Sequence, residues 1–97
     1  MRRAGRAEKA VKKALDAYIL HSGRGILGIL RASGQARVKI AVSALYRFHD
    51  PDTGYAMLDD AIRELGDTLE SVDGRLVRYQ GRLYIEIPVS YIEELLG

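Results

Sequence analysis

The sequence predicts an α+β domain in which a four-stranded antiparallel sheet carries helices packed on one face, in the order α-α-β-α-β-β-β-α. Apolar residues recur at helical spacing in residues 6–21 and 50–66. Apolar and polar residues alternate over 36–48, which is typical of a strand. Turn signals at Asp73-Gly74 and Gln80-Gly81 divide the C-terminal part into further strand-like runs.

Two consecutive helices are predicted at the start of the chain. In the first, over 6–21, an apolar stripe faces away from a row of lysines, and Gly23 is expected to end the helix. The second, over 24–34, is short and apolar and closes at Gly34. A glycine inside a helix costs about 1 kcal/mol relative to alanine, so Gly28 suggests close packing there.

Residues 36–48 are open to two interpretations. Their alternation and their β-branched residues favour a long strand in the same sheet as the C-terminal strands. A helical stripe through Val38, Val42 and Leu45 is the alternative.

Two more helices complete the prediction. In the helix over 50–66, Asp50 suits the N-cap and Pro51 suits the first helical position. Pro88 is expected to end the last strand, and a terminal helix follows with Ser90 as its N-cap.

Two-residue turns at both glycines set the register of the C-terminal strands. The pairs predicted across the second turn are Tyr79–Arg82, Val77–Tyr84, Arg75–Glu86, Arg78–Leu83 and Leu76–Ile85. One face is then aliphatic, includes Leu69, and belongs to the core. The other face carries arginines and tyrosines, and a turn at Asp73-Gly74 places Val72 on that side.

The strand over 36–48 is expected to extend this second face. We call the resulting candidate site the basic-aromatic face; its residues are Arg37, Lys39, Arg47, Arg75, Tyr79, Arg82 and Tyr84. Cations contact phosphates, and each ring stacks on an unpaired base for about 1–3 kcal/mol. The face therefore predicts sequence-independent binding of single-stranded DNA or RNA. The alternative is a solvated sheet surface stabilised by cross-strand Tyr–Arg pairs.

Charge is distributed unevenly along the chain. Residues 1–50 hold eleven Lys or Arg against three acids, a net charge of +8, whereas residues 51–97 carry −6. Such asymmetry favours a polyanionic partner. A protein–protein interaction module, or a homodimer joined through oppositely charged patches, would explain the same split.

Composition narrows the function classes. A chain of 97 residues is the size of one domain, 1–97, and its lack of cysteine excludes disulfides and thiolate chemistry. No apolar run is long enough for a membrane span, so we expect a cytoplasmic protein with no membrane partner.

The "HDPD" stretch at 49–52 suggests a metal site with Asp59 or Asp60, but helix capping by Asp50 explains it equally well. We expect no enzymatic activity, no metal and no cofactor.

The element order and the basic-aromatic face resemble the ThermoDBP-related proteins, from "AEKAVKKALDAYIL" to "SYIEELL". These are small single-stranded-nucleic-acid-binding proteins of thermophilic archaea, with an antiparallel sheet and a cleft that has an apolar floor and basic walls. The resemblance implies sequence-independent binding through the segments "VRYQGRLY" and "RVKIAVSALYRF".

A winged-helix protein that binds duplex DNA is the alternative if 36–48 is a helix. Its recognition helix would be "GYAMLDDAIRELG", which carries Asp59, Asp60 and Glu64 but only one cation, Arg63. Acidic residues at that position repel phosphates.

Overall fold

The computed structural model describes residues 5–97 and contains a four-stranded antiparallel sheet with helices on one face. Arg2 and Arg3, which contribute to the predicted basic half, lie outside the described residues. The helices are α1 (Arg6–Ser33), α2 (Leu58–Leu65) and α3 (Val89–Leu96), and the strands are β1 (Arg37–Ala41), β2 (Thr68–Leu69), β3 (Gly74–Tyr79) and β4 (Arg82–Pro88). The sheet order is β1-β4-β3-β2, which confirms the α+β class.

The two helices predicted before β1 form one continuous helix, α1. Gly23 does not end it: a Cβ there would lie 3.0 Å from Ile19 Cγ2 and 3.2 Å from Leu96 Cδ1, so glycine allows α3 to pack closely. Gly34, with a φ of 71°, ends the helix as predicted. Gly28 is exposed and a Cβ there would meet nothing within 4 Å, so the close packing expected at Gly28 occurs at Gly23 instead.

The predicted strand over 36–48 is correct only for β1. Val42–Phe48 forms a 3-10 helix, which we call the 42–48 segment. A 3-10 helix has three residues per turn, which places Val42, Leu45 and Phe48 on one side. Val42 and Leu45 are buried and Phe48 packs against the core, so burial in this segment follows a period of three rather than two. The α-helix that the winged-helix alternative requires does not form here.

The helix predicted over 50–66 is shorter than expected. Asp50 does cap a helix, but a short 3-10 one, Pro51–Thr53, in which the backbone N–H of Asp52 donates to Asp50 Oδ1 at 2.9 Å. Gly54, with a φ of 100°, ends that turn, and α2 begins only at Leu58.

The terminal helix α3 follows β4 directly. Pro88 takes the N-cap position, so the prediction of Ser90 as N-cap is wrong. A side-chain cap is unnecessary for the first amide, because the backbone N–H of Val89 donates to the Ala36 carbonyl at 2.8 Å.

The hairpin between β3 and β4 has the predicted register. All five predicted pairs form, from Arg75–Glu86 to Tyr79–Arg82. Gln80 and Gly81 have φ values of 51° and 76°, as a two-residue type I′ turn requires.

The connection between β2 and β3 differs from the prediction. Leu69 pairs with Gly74, so four residues, 70–73, connect the strands in place of a two-residue turn. Val72 is consequently buried in the core and does not lie on the Arg75 side. Gly74 makes room for it, since a Cβ there would lie 3.2 Å from Val72 Cγ2 and 3.0 Å from Ile87 Cγ2.

The core lies between the helices and the inner face of the sheet. Its largest fully buried side chains come from α1, the 42–48 segment, β2, β4 and α3. They are Val11, Leu15, Ile19, Leu45, Leu69, Ile85, Ile87 and Ile92. The aliphatic face predicted for the sheet is thus the core face. Within residues 5–97, no helix combines the length and apolar content needed to cross a bilayer.

Candidate nucleic-acid interface

The outer face of the sheet brings together all of the predicted site residues except Arg47. β4 lies between β1 and β3, so one cross-strand row is Lys39–Glu86–Arg75. Alternation along each strand then gives the members of this face: Arg37, Lys39, Arg75, Tyr79, Arg82 and Tyr84. The helices of residues 5–97 pack on the opposite face, which is the core face.

Glu86 joins two of these arginines at the centre of the face. Its Oε1 accepts hydrogen bonds from Arg37 Nε and from Arg75 Nε, each at 3.0 Å. The carboxylate is almost fully covered, with the residue only 9% exposed. The hydrogen bond from Arg37, followed by the charge of Arg75, lowers the pKa of Glu86. Three charged groups therefore form one ion-pair network instead of an unopposed basic patch.

Arg37 has a second acidic neighbour. Its Nη2 donates to the Asp73 carbonyl at 2.8 Å, and its Nη1 lies 3.6 Å from the Asp73 carboxylate. Arg37 thus spans from β1 across β4 to the connection that precedes β3. A guanidinium held at both ends is less available to a phosphate than a free one.

The remaining members of the face are two cations, Lys39 and Arg82, and two tyrosine rings. Among residues 5–97, Lys39 and Arg82 form no salt bridge within 4.0 Å. Lys39 Nζ lies 5.8 Å from the centroid of the Tyr79 ring, within range of a cation–π contact. Tyr79 is 54% exposed and Tyr84 is half-buried.

Arg47 lies elsewhere, and its predicted place on the sheet face is wrong. It belongs to the 42–48 segment and points toward α1, with Nη2 3.4 Å from His21 Nε2. Its guanidinium also lies 4.9 Å from the centroid of the Phe48 ring. The cause is the 3-10 geometry, which ends the strand alternation before residue 47.

The lysines of α1 do not add to the basic-aromatic face either. α1 packs on the other side of the sheet, and two of its lysines are paired with acids. Lys12 contacts Asp16 at 2.8 Å, and Lys13 pairs with Asp50, whose pKa this hydrogen bond lowers. The basic half of the sequence is therefore spread over more than one surface.

A cleft that the sequence did not reveal adjoins one end of the face. It has a volume of about 310 Å³ and lies where β1 passes into the 42–48 segment. Its lining includes Val42, Ser43, Tyr46, Asp59, Arg82 and Leu83. The Tyr46 hydroxyl donates to Asp59 Oδ1 at 2.8 Å, and this bond raises the pKa of Tyr46. Tyr46 and Asp59 come from separate elements, so no local spacing could have linked them.

The "HDPD" stretch has structural roles. Asp50 caps its turn, and His49 Nε2 donates to the Tyr55 carbonyl at 2.6 Å. In the part of the chain that the structure describes, no three His, Asp or Glu side chains are placed to hold a metal ion.

Comparisons with family models, with curated proteins and with solved structures yield no match to this chain. The resemblance to the ThermoDBP-related proteins stays a prediction from element order and surface chemistry.

Proposed function

We propose that this protein binds single-stranded nucleic acid, largely independently of sequence, across the basic-aromatic face. The observation that carries the proposal is the juxtaposition, on one sheet face, of two tyrosine rings with Lys39 and Arg82, two cations that have no salt-bridge partner among residues 5–97. Aromatic rings bind any base through its π-face, while cations follow the phosphates. The combination suits an unpaired strand, whose bases are free to stack.

The arrangement of the rings supports contact with neighbouring bases. Tyr84 pairs across the hairpin with Val77, and Tyr79 is two residues farther along β3. Tyr79 and Tyr84 are therefore diagonal neighbours, about 7–8 Å apart at their backbones. Two bases of one strand can occupy adjacent positions over such a pair.

The ion-pair network sets the electrostatic part of binding. Arg37 and Arg75 share the Glu86 carboxylate, so a phosphate has to compete with an existing partner. Lys39 and Arg82 are then the main phosphate contacts. Two contacts on a single strand correspond to a slope of about −1.4 in a plot of log affinity against log salt.

Two features of the fold disfavour duplex binding in the winged-helix mode. The helix that a winged-helix protein would insert in the major groove corresponds to α2, whose first turn carries Asp59 and Asp60. β1 and the 42–48 segment take the place of the helix that should precede it. Both observations favour an unpaired strand as the ligand.

The test is a fluorescence anisotropy titration of a labelled single strand and of the same sequence as a duplex, at two salt concentrations. We expect tighter binding of the single strand and weaker binding at the higher salt. Arg82→Ala should reduce affinity. Arg47→Ala is the matched control, since it removes the same charge from a residue off the face. Tighter duplex binding, or equal effects of the two arginine variants, would contradict the proposal.

A further inference from the structure

The cleft beside the basic-aromatic face has opposite charges on its walls that do not pair with each other. Arg82 and Asp59 both line it, yet they form no salt bridge within 4.0 Å. Arg82 also belongs to the sheet face, so the cleft continues the proposed path of the strand. Its volume of about 310 Å³ lies at the lower end of the range for small-molecule sites.

Asp59 is oriented with part of its hydrogen-bonding capacity unused. Tyr46 donates to Oδ1, and Oδ2 has no hydrogen-bond partner among residues 5–97. An ionised carboxylate offers about four acceptor sites on its two oxygens, so several remain for a ligand. The Tyr46 ring, 50% exposed, forms a wall on which a planar group can stack.

These groups complement one nucleobase better than the others. The Watson–Crick edge of guanine presents the acceptor O6 beside two neighbouring donors, N1–H and N2–H. The O6 atom matches the donors of Arg82, and the two N–H groups match the carboxylate of Asp59. Adenine and cytosine each place a ring-nitrogen acceptor beside their amino donor, so a carboxylate gains one bond and meets one lone pair. Thymine and uracil have a single N3–H between two carbonyls.

We propose that this cleft binds one unpaired guanine base, with its N1–H and N2–H donated to Asp59 and its O6 accepting from Arg82. The proposal rests on the proposed single-strand binding, and it adds one base-selective position to a face that is otherwise tolerant of sequence. The floor of Val42 and Leu83 excludes water from one side of the base, which strengthens these hydrogen bonds.

The first experiment compares labelled oligothymidine of about twelve nucleotides, a length within the site sizes of small single-strand-binding domains, with the same strand carrying one central dG, dA or dC. Discrimination by a well-formed bidentate contact predicts about tenfold tighter binding of the dG strand, and no such gain for dA or dC. Asp59→Asn should abolish the gain, measured as the ratio of dG-strand affinity to oligothymidine affinity within the variant, because asparagine offers only one acceptor oxygen. Asp60→Asn is the matched control: it removes the same charge from the same helix turn, where Asp60 pairs with Arg63 at 3.5 Å.

The second experiment uses guanosine 5′-monophosphate and adenosine 5′-monophosphate as free ligands, followed by NMR. Guanosine monophosphate should shift the resonances of Tyr46, Asp59 and Arg82 more than adenosine monophosphate does. If oligothymidine binds but dG adds no affinity, or if Asp59→Asn keeps the dG preference, the guanine pocket is refuted and the proposed function stands. If no oligonucleotide binds, the proposed function fails, and the mononucleotide shifts alone decide whether the pocket exists.

Discussion

Replacing Glu86 with glutamine should strengthen nucleic-acid binding, although Glu86 is itself on the proposed interface. The carboxylate accepts from both Arg37 and Arg75 and so neutralises part of their charge. Glutamine keeps the shape and one acceptor oxygen but removes the charge. The two arginines then become available to phosphates, in addition to Lys39 and Arg82.

The magnitude follows from the number of contacts. With a slope of about −0.7 per contact on a single strand, two contacts give about −1.4 and four give about −2.8. Raising the salt concentration about fourfold should therefore weaken binding by about 7-fold in the native protein and about 50-fold in Glu86→Gln. At the lowest salt the variant should bind more tightly than the native protein.

The assay is a series of anisotropy titrations of labelled oligothymidine at several salt concentrations. Glu93→Gln is the matched control, because it makes the same change in net charge on α3, where Glu93 pairs with Arg31 at 3.1 Å. Equal salt slopes for Glu86→Gln and Glu93→Gln would refute the reasoning. Arg37 would then be held in place by the backbone carbonyls of Asp73 and Glu86, or neither arginine would contact a phosphate.

Three further predictions concern stacking, packing and pH. Tyr79→Ala should weaken single-strand binding by about 1–3 kcal/mol with little change in salt slope, since stacking is not screened by ions. If anisotropy titrations show the affinity of the native protein, the face is a solvated sheet surface on which no base stacks. Gly74→Ala should lower the free energy of unfolding by about 1–3 kcal/mol in urea denaturation, because its Cβ would lie 3.0 Å from Ile87 Cγ2. Gly28→Ala, in open space, should instead raise it by about 0.5–1 kcal/mol, and destabilisation there would contradict the packing described. Because the pKa of Glu86 is lowered by folding, its contribution to stability is complete above the ordinary glutamate pKa of about 4.3 and is lost as the pH falls through the lower folded value. Melting temperatures measured from neutral to acidic pH should show this loss, and Glu86→Gln should reduce it.

Local chemistry was sufficient to predict the hairpin on which the candidate site is built. Gln80 and Gly81 supply two successive positive φ values, so the turn itself aligns Tyr79 with Arg82. Because side chains alternate along a strand, every later pair follows from that first one. The same reasoning failed at Asp73-Gly74, where only Asp73 has a positive φ and the connection is longer.

Long-range packing decided where the helices end. Gly23 is a plausible terminator in sequence, yet α1 continues through it because Leu96 of α3 occupies the space beside it. Strand-like alternation over 36–48 continues past Ala41, yet burying Val42 and Leu45 under α1 favours a 3-10 turn. The partner of Gly23 is far away in sequence, so the continuation of α1 has no local signal. In the 42–48 segment the helical stripe through Val42 and Leu45 was a local signal, but the strand-like alternation outweighed it.

Periodicity and turn chemistry within a few residues were enough to predict the α+β class, the β3–β4 register and the outward direction of Tyr79, Arg82 and Tyr84. Which cations of this face are paired depends instead on contacts between distant parts of the chain. Glu86 meets Arg37 from a strand 49 residues away, and Tyr46 meets Asp59 across two separate elements. Charge pairing depends on distances that the fold creates. The cleft and the contact of Arg37 with Glu86 were therefore absent from the sequence pattern, whereas the Arg75–Glu86 pair followed from the hairpin register.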